Sequence, residues 1–209
     1  MSKILVLKSS VLGEGSASSH LVEEALNQIR IQDPAASVVI RDLAANPVPH
    51  LTPDAAAAVR GGEPVNDQQA SARALSDELV HELKSADTIV IGAPMYNFGI
   101  PSTLKSWFDY VLRAGITFRY GDAGPEGLVK GKRAIVILTR GGLYSEGPTK
   151  VMDSQEPHLR TLLGFIGITD VTFIRAEKLG FGPEHREQAL RSARLQIEDA
   201  LNQPVAEAA

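Results

Sequence analysis

Lys3-Ile4-Leu5-Val6-Leu7-Lys8, running into Ser9-Ser10-Val11-Leu12-Gly13-Glu14-Gly15-Ser16-Ala17-Ser18, decides how the rest of the chain is read. The first six residues are a β-branched and leucine run between two lysines. Their apolar character is continuous, not alternating, which predicts a strand buried on both faces. The loop behind it is small and rich in hydroxyls, and Ser16 or Ser18 is a natural N-cap for a following helix. A helix N-terminus offers unpaired N–H groups and a partial positive charge, a setting that suits a phosphate. No Gly-Lys-Ser/Thr ending follows, which disfavours a nucleotide-hydrolysing loop. Gly13 and Gly15 do not extend into a dinucleotide fingerprint. Taken alone, the loop fits a capped polar turn without a ligand equally well.

Four more runs read as strands of the same kind: Val38–Leu43, Thr88–Ile91, Ala134–Leu138 and Val171–Ile174. Between them apolar residues recur with helical spacing. One set is Val22, Leu26 and Ile29, and another is Leu75, Leu79 and Leu83. Leu104, Trp107, Phe108, Val111 and Leu112 form a third, Leu159, Leu162, Leu163 and Ile166 a fourth, and Leu190, Ala193, Ile197 and Leu201 a fifth. Strands alternating with helices predict an α/β fold, a doubly wound parallel sheet with helices on both faces. Five strands fit the flavodoxin-like order 2-1-3-4-5, in a single domain over residues 1–209.

Two stretches interrupt the alternation. Residues 44–67 hold Pro47, Pro49, Pro53, Gly61, Gly62 and Pro64, with a short helix expected at Ala55–Ala58. Residues 114–132 carry five glycines and Pro125 around Thr117-Phe118-Arg119-Tyr120, which predicts a hairpin projecting from the sheet's edge. The tail from Gln203 to Ala209 is expected to fray.

Bulk properties exclude several classes. The 209 residues carry a net charge of −4 with no basic stripe, so nucleic-acid binding is not expected. There is no cysteine, which rules out disulfides, thiolate metal sites and a thiol nucleophile. His20, His50, His81, His158 and His185 are scattered, and no metal site is expected. No run approaches a membrane span. Met1-Ser2-Lys3 enters the first strand without a secretion signal, so a cytoplasmic location is expected. Asp77, Glu78 and Glu82 read as a solvated helix face. Trp107 and Phe108 read as core, with a subunit interface as the rival.

In an open parallel sheet, ligands bind beyond the carboxyl ends of the strands. Behind the third strand lie Gly92–Pro101, with Met95, Tyr96, Asn97 and Phe98 between two prolines. Exposed aromatics there call for a flat ligand, unless Tyr96 and Phe98 plug the sheet's own edge. Behind the fourth lie Thr139-Arg140-Gly141-Gly142-Leu143-Tyr144. The paired glycines let backbone N–H groups line up against an acceptor.

The segments Ala93–Phe98 and Thr139–Gly142 resemble the flavin loops of the bacterial FMN-dependent NADH:quinone oxidoreductase and azoreductase family. Lys3–Ser10, Arg41–Pro47, Thr117–Tyr120, Gly124–Leu128 and Leu163–Asp170 resemble it too, so the match spans nearly the whole chain. The resemblance implies non-covalent FMN, NADH or NADPH as donor, and a quinone or azo compound as acceptor. It implies ping-pong turnover and a homodimer with active sites at its interface. By position, Ser10, Ser16, Ala17 and Ser18 hold the phosphate and Met95, Tyr96, Asn97 and Phe98 line the ring. Thr139, Arg140, Gly141 and Gly142 border its pyrimidine side. Tyr120, Tyr144 and Phe165 belong to the substrate pocket, Tyr120 and Phe165 from the partner subunit. No side chain is needed as a catalytic nucleophile, because the flavin carries the chemistry. Tyr144 stands near where some relatives carry a histidine, and a phenol with pKa about 10 is a weak proton donor at neutral pH. An electron carrier without its own substrate is the alternative.

Overall fold

The computed structural model describes residues 1–203, apart from the side chain of Glu14. The expected frayed tail beyond Gln203 lies outside the described residues. The main sheet has five parallel strands. They are β1 (Lys3–Lys8), β2 (Ser37–Asp42), β3 (Thr88–Pro94), β6 (Arg133–Thr139) and β7 (Asp170–Ala176), in the order β2-β1-β3-β6-β7. Between β3 and β6 the chain forms a separate antiparallel hairpin, β4 (Phe118–Gly121) with β5 (Gly124–Gly127). Without the hairpin, the order is the expected 2-1-3-4-5.

Helix α1 (Ala17–Gln32) and helix α6 (Pro183–Asn202) cover one face. The other face carries α2 (Pro53–Val59), α3 (Asp67–Ser85), α4 (Ser102–Val111) and α5 (Glu156–Ile166). Strand β1 shows why a continuous apolar run was needed. Ile4 and Val6 pack under α1, while Leu5 and Leu7 face the opposite layer, all four buried. Trp107 and Phe108 are fully buried in that second layer, so they serve the core of this chain.

One reading needs correction, and two gain detail. Strand β2 sits at the sheet's edge, where Val39 and Ile40 stay exposed, so its apolar run does not mark burial on both faces. Pro101 is the N-cap of α4, directly ahead of its first residue. The acidic face of α3 is ion-paired: Glu78 and Glu82 hold Arg41, and Asp77 holds the buried Arg113. No helix among the described residues is long and apolar enough to cross a membrane.

Candidate functional site

Because β1, β3 and β6 are adjacent and parallel, their three following loops emerge side by side. Register fixes this: Lys8 pairs with Gly92, and Pro94 with Thr139. The backbone continues the match beyond the strands, with Ser9 Oγ donating to Gly92 O at 2.7 Å and Met95 N to Thr139 O at 2.9 Å.

The first loop tightens into a 3-10 turn at Gly13–Gly15, then starts α1 at Ala17. Ser16 is the N-cap, its Oγ accepting from Ser19 N at 3.1 Å and lying 3.0 Å from Ser18 Oγ. Ser10, Ser16 and Ser18 are all buried. A helix head with two inward hydroxyls and first-turn N–H groups is a fitting cradle for an anion.

The second loop is strained. Asn97 and Phe98 have φ of 47° and 71°, closed by paired bonds of 3.1 Å between Tyr96 and Gly99. Asparagine tolerates the left-handed region, but a bulky ring there is an outlier. Such strain persists only where the surroundings enforce it, and it gathers at working sites. Tyr96 is pinned: its hydroxyl accepts from Val11 N and meets Ser10 Oγ, both at 3.1 Å. Phe98 remains 41% exposed, so no plug covers it from within the chain.

The third loop brings glycines opposite. Gly141 has open space where a Cβ would stand, and a Cβ on Gly142 would meet the Tyr144 ring at 3.0 Å. Tyr144 in turn meets the Phe98 ring edge-on, with centroids 6.1 Å apart. The loop is held from beneath by residues that sequence reading missed. Glu177, just past β7, accepts from Tyr144 N at 2.8 Å, from Ser145 N at 3.0 Å and from Ser145 Oγ. Burial pushes the Glu177 carboxyl up, but these bonds and the Arg140 guanidinium outweigh it and hold it below its ordinary value.

Arg140 turns away from the open space. Its side chain is fully buried and donates to Gln155 at 2.9 Å, Asp153 at 2.9 Å and Glu177 at 3.1 Å. Gln155 passes the link on, donating to Ala93 O in β3 at 2.9 Å, and Ser154 N donates to Phe98 O at 3.0 Å. Residues 153–155 thereby tie the aromatic loop to the glycine loop. Nothing local marks them, since their partners lie up to 62 residues away.

Ser10, Ser16, Ala17, Ser18, Met95–Phe98, Thr139–Gly142 and Tyr144 therefore share one end of the sheet. Tyr120 and Phe165 do not. Helix α5 leaves that end and runs eleven residues to the amino ends of the strands, a span of about 16 Å at ~1.5 Å per residue. Phe165 lies near its far terminus. The hairpin docks there, with Val129 N donating to Ile166 O at 2.8 Å. Phe118 joins the two aromatics, with centroids 4.6 Å from Phe165 and 5.6 Å from Tyr120. Tyr120 is 74% exposed.

Comparison with known proteins follows the same outline. A family model described as flavodoxin-like fold matches residues 2–201. The FMN-dependent NADH:quinone oxidoreductase of Hyphomonas neptunium is 60% identical over 197 residues, 94% of each chain. The crystal structure of an azoreductase from Bacillus anthracis strain Sterne superposes with a TM-score of 0.89 at 28% identity, covering 97% of this chain and 99% of that one. The FMN-dependent NADH-azoreductase from Bacillus anthracis strain Ames Ancestor, solved in complex with FMN, gives 0.88 at 25% identity over 99% of this chain and 100% of that one.

Proposed function

The chain belongs to the family of FMN-dependent NADH:quinone oxidoreductases and azoreductases, and on that premise we propose that it is an FMN enzyme passing two electrons from NADH or NADPH to quinones and azo compounds. The observation that carries this reading is the strained turn at Asn97–Phe98, which holds an uncovered ring opposite the open backbone of Gly141. The residues fit the cofactor at both its ends. The hydroxyls of Ser10, Ser16 and Ser18 and the head of α1 suit a terminal phosphate. Met95–Phe98 and Thr139–Gly142 suit a flat ring. When bound, FMN supplies the two-electron chemistry, and the protein binds, orients and tunes it.

The chain's own part is electrostatic. The backbone N–H groups of Gly141 and Gly142 would hold the ring's pyrimidine edge, where negative charge would collect on reduction, and fixed donors at developing charge are commonly the largest protein contribution. Arg140 serves that loop through its buried network; its guanidinium is not offered to the ring. Tyr144 closes one wall of the pocket. One flat site serves donor and acceptor in turn, so turnover is ping-pong.

The aromatic cluster at the far end supports a homodimer. Tyr120 and Phe165 stand too far from the flavin loops to serve them within one chain. Two copies, each covering the other's loops with its hairpin, bring both sets to one site. The reading further takes residues 1–209 as one domain acting in the cytoplasm.

The visible spectrum of the purified protein tests the proposal. A flavin band bleached by NADH and restored by a quinone supports it, and parallel double-reciprocal lines support the ping-pong order. A colourless protein that fails to take up FMN overturns it. Reduction by NADH without quinone turnover leaves the carrier alternative in its place.

A further inference from the structure

Beyond Tyr144 a cavity of about 420 Å³ opens at the same end of the sheet. Its walls include Tyr144, Lys150, Asp153, Glu156, Arg160 and Arg175. The three cations come from three elements: the 3-10 turn Pro148–Met152, α5 and β7. Of the two carboxylates, Asp153 is turned to the buried Arg140 at 2.9 Å. Glu156 is shared by Arg160 at 2.8 Å and Arg175 at 2.6 Å. Arg140 is shared by Asp153 and Glu177, so the guanidiniums of Arg140, Arg160 and Arg175 balance the three carboxylates. Lys150 is exposed, and no hydrogen bond or ion pair engages its side chain among the described residues. The cavity thus keeps a cationic excess in a chain of net charge −4.

We propose that this cavity is the subsite for the diphosphate of the nicotinamide dinucleotide donor. The inference rests on the proposed oxidoreductase reading. A nicotinamide seated over the ring between Phe98 and Gly141 must lead the rest of its dinucleotide out past a pocket wall. Tyr144 forms the wall shared with the cavity, since its ring meets Phe98 on one side and lines the cavity on the other. The diphosphate carries two negative charges that no neutral quinone has. Arg160 is well placed to receive it: its guanidinium is braced over the Phe173 ring, 4.3 Å from the centroid, yet half exposed. A planar guanidinium matches phosphate oxygens in pairs, while the exposed Lys150 supplies a point charge.

The test compares two donors with one saturating quinone: NADH, and a neutral N-alkyl dihydronicotinamide that lacks phosphates. Lys150→Gln is expected to raise KM for NADH about fivefold, the size of one partly exposed charge pair. Lys150→Gln with Arg160→Gln is expected to raise it further, and kcat stays within about twofold because the reacting ring is untouched. KM for the neutral donor should not move in either variant. In the wild type, added salt should raise KM for NADH only. Arg191→Gln on the exposed face of α6 is the control, with no effect on either donor. Lys150 braces no other side chain, so its variant reads binding without a folding penalty.

Equal changes in KM for both donors, or no change for either, would overturn the subsite. A shift with NADPH but none with NADH would reassign the cations to the 2′-phosphate and refute the diphosphate assignment. A wild-type protein reduced by neither donor would refute the oxidoreductase reading itself, and the subsite with it.

Discussion

The two ends of the sheet are built by different physics. At the carboxyl ends, hydrogen bonds do the holding: Ser16 caps α1, Tyr96 bridges to the first loop, and Glu177 gathers the backbone of the third. Three non-glycine residues there, Asn97, Phe98 and Lys178, keep left-handed backbone. At the amino ends, the hairpin is held by packing. Phe118 packs edge-on to Tyr120 and tilted against Phe165, and Gly127 lies close against the end of α5. A directional, polar frame positions a ligand; a close-packed apolar one fixes a platform. The difference predicts that damage at one end should leave the other's property intact.

The largest expected effect is at the polar end. Replacing both Ser16 and Ser18 by alanine removes two hydroxyls aimed at the proposed phosphate. At roughly 1.5–3 kcal/mol for each hydrogen bond to a charged group, FMN affinity should fall by about 100-fold or more. The lost N-cap adds a cost of about 1 kcal/mol to α1. Dimer formation should persist, because the hairpin is untouched. Titration of the apo-protein with FMN measures the first, and sedimentation the second. Unchanged FMN affinity would remove the phosphate from this helix.

The packed end is sharpened by Gly127→Ala. A Cβ there would stand 2.1 Å from Gly167 N and 2.3 Å from the Ile166 carbonyl carbon, which is backbone and cannot swing aside. Overpacking of this kind costs roughly 1–3 kcal/mol, and Tm should drop by about 5 °C at ~2–4 °C per kcal/mol. The hairpin must lift off α5 and carry Tyr120 with it. We expect quinone turnover to fall about tenfold, or ~1.4 kcal/mol, while FMN affinity stays within twofold. A matching loss of FMN affinity would mean that the two ends are not independent.

The comparison also explains what the sequence could disclose. Strand β1 was legible because a strand buried on both faces must be apolar at every position, and so was the hairpin, whose Gly124-Pro125 and Gly127 break any other element; the strand order rested on likeness to the flavodoxin-like arrangement, since nothing in the residues orders parallel strands. Strand β2 carries a similar apolar run at an edge, and composition does not separate the two cases. The loops Met95–Phe98 and Thr139–Gly142 were legible as segments. Their internal mechanics were not: no local pattern says that Phe98 takes positive φ, or that Arg140 turns inward. Asp153, Gln155 and Glu177 act through partners distant in the chain, so polar residues that read as loop surface form the buried frame. Nor does spacing reveal that Tyr120 and Phe165 stand at the far end from the flavin loops.

The smallest expected effect concerns acid. Glu177 is held below its ordinary value against its burial by Ser145, Tyr144 N and Arg140. Glu156 is likewise pushed up by burial and held down more strongly by Arg175 and Arg160. A carboxyl lowered in the folded state contributes stability that is complete above its unfolded pKa, about 4.3. That stability is lost as pH falls through the folded value. The polar end should therefore loosen from roughly pH 5 downward. Among the described residues the hairpin end holds no such buried carboxylate: Glu126, though also held below its ordinary value by Lys130 and Arg119, is paired at the surface. Glu177→Gln keeps one acceptor for the loop backbone but loses the charge facing Arg140. We expect about 1 kcal/mol of destabilisation at neutral pH, or ~3 °C in Tm, and a shallower fall of Tm between about pH 5 and pH 3. Glu156 supplies part of the slope that remains, and the surface carboxyls Asp33, Asp54 and Glu126, also held below their ordinary values, supply the rest. Hydrogen exchange at Tyr144 and Ser145 should rise in acid before exchange at Val129, which reports the hairpin. If Val129 loosened first, or if the variant kept the wild-type pH slope, the polar frame would not be the acid-sensitive end.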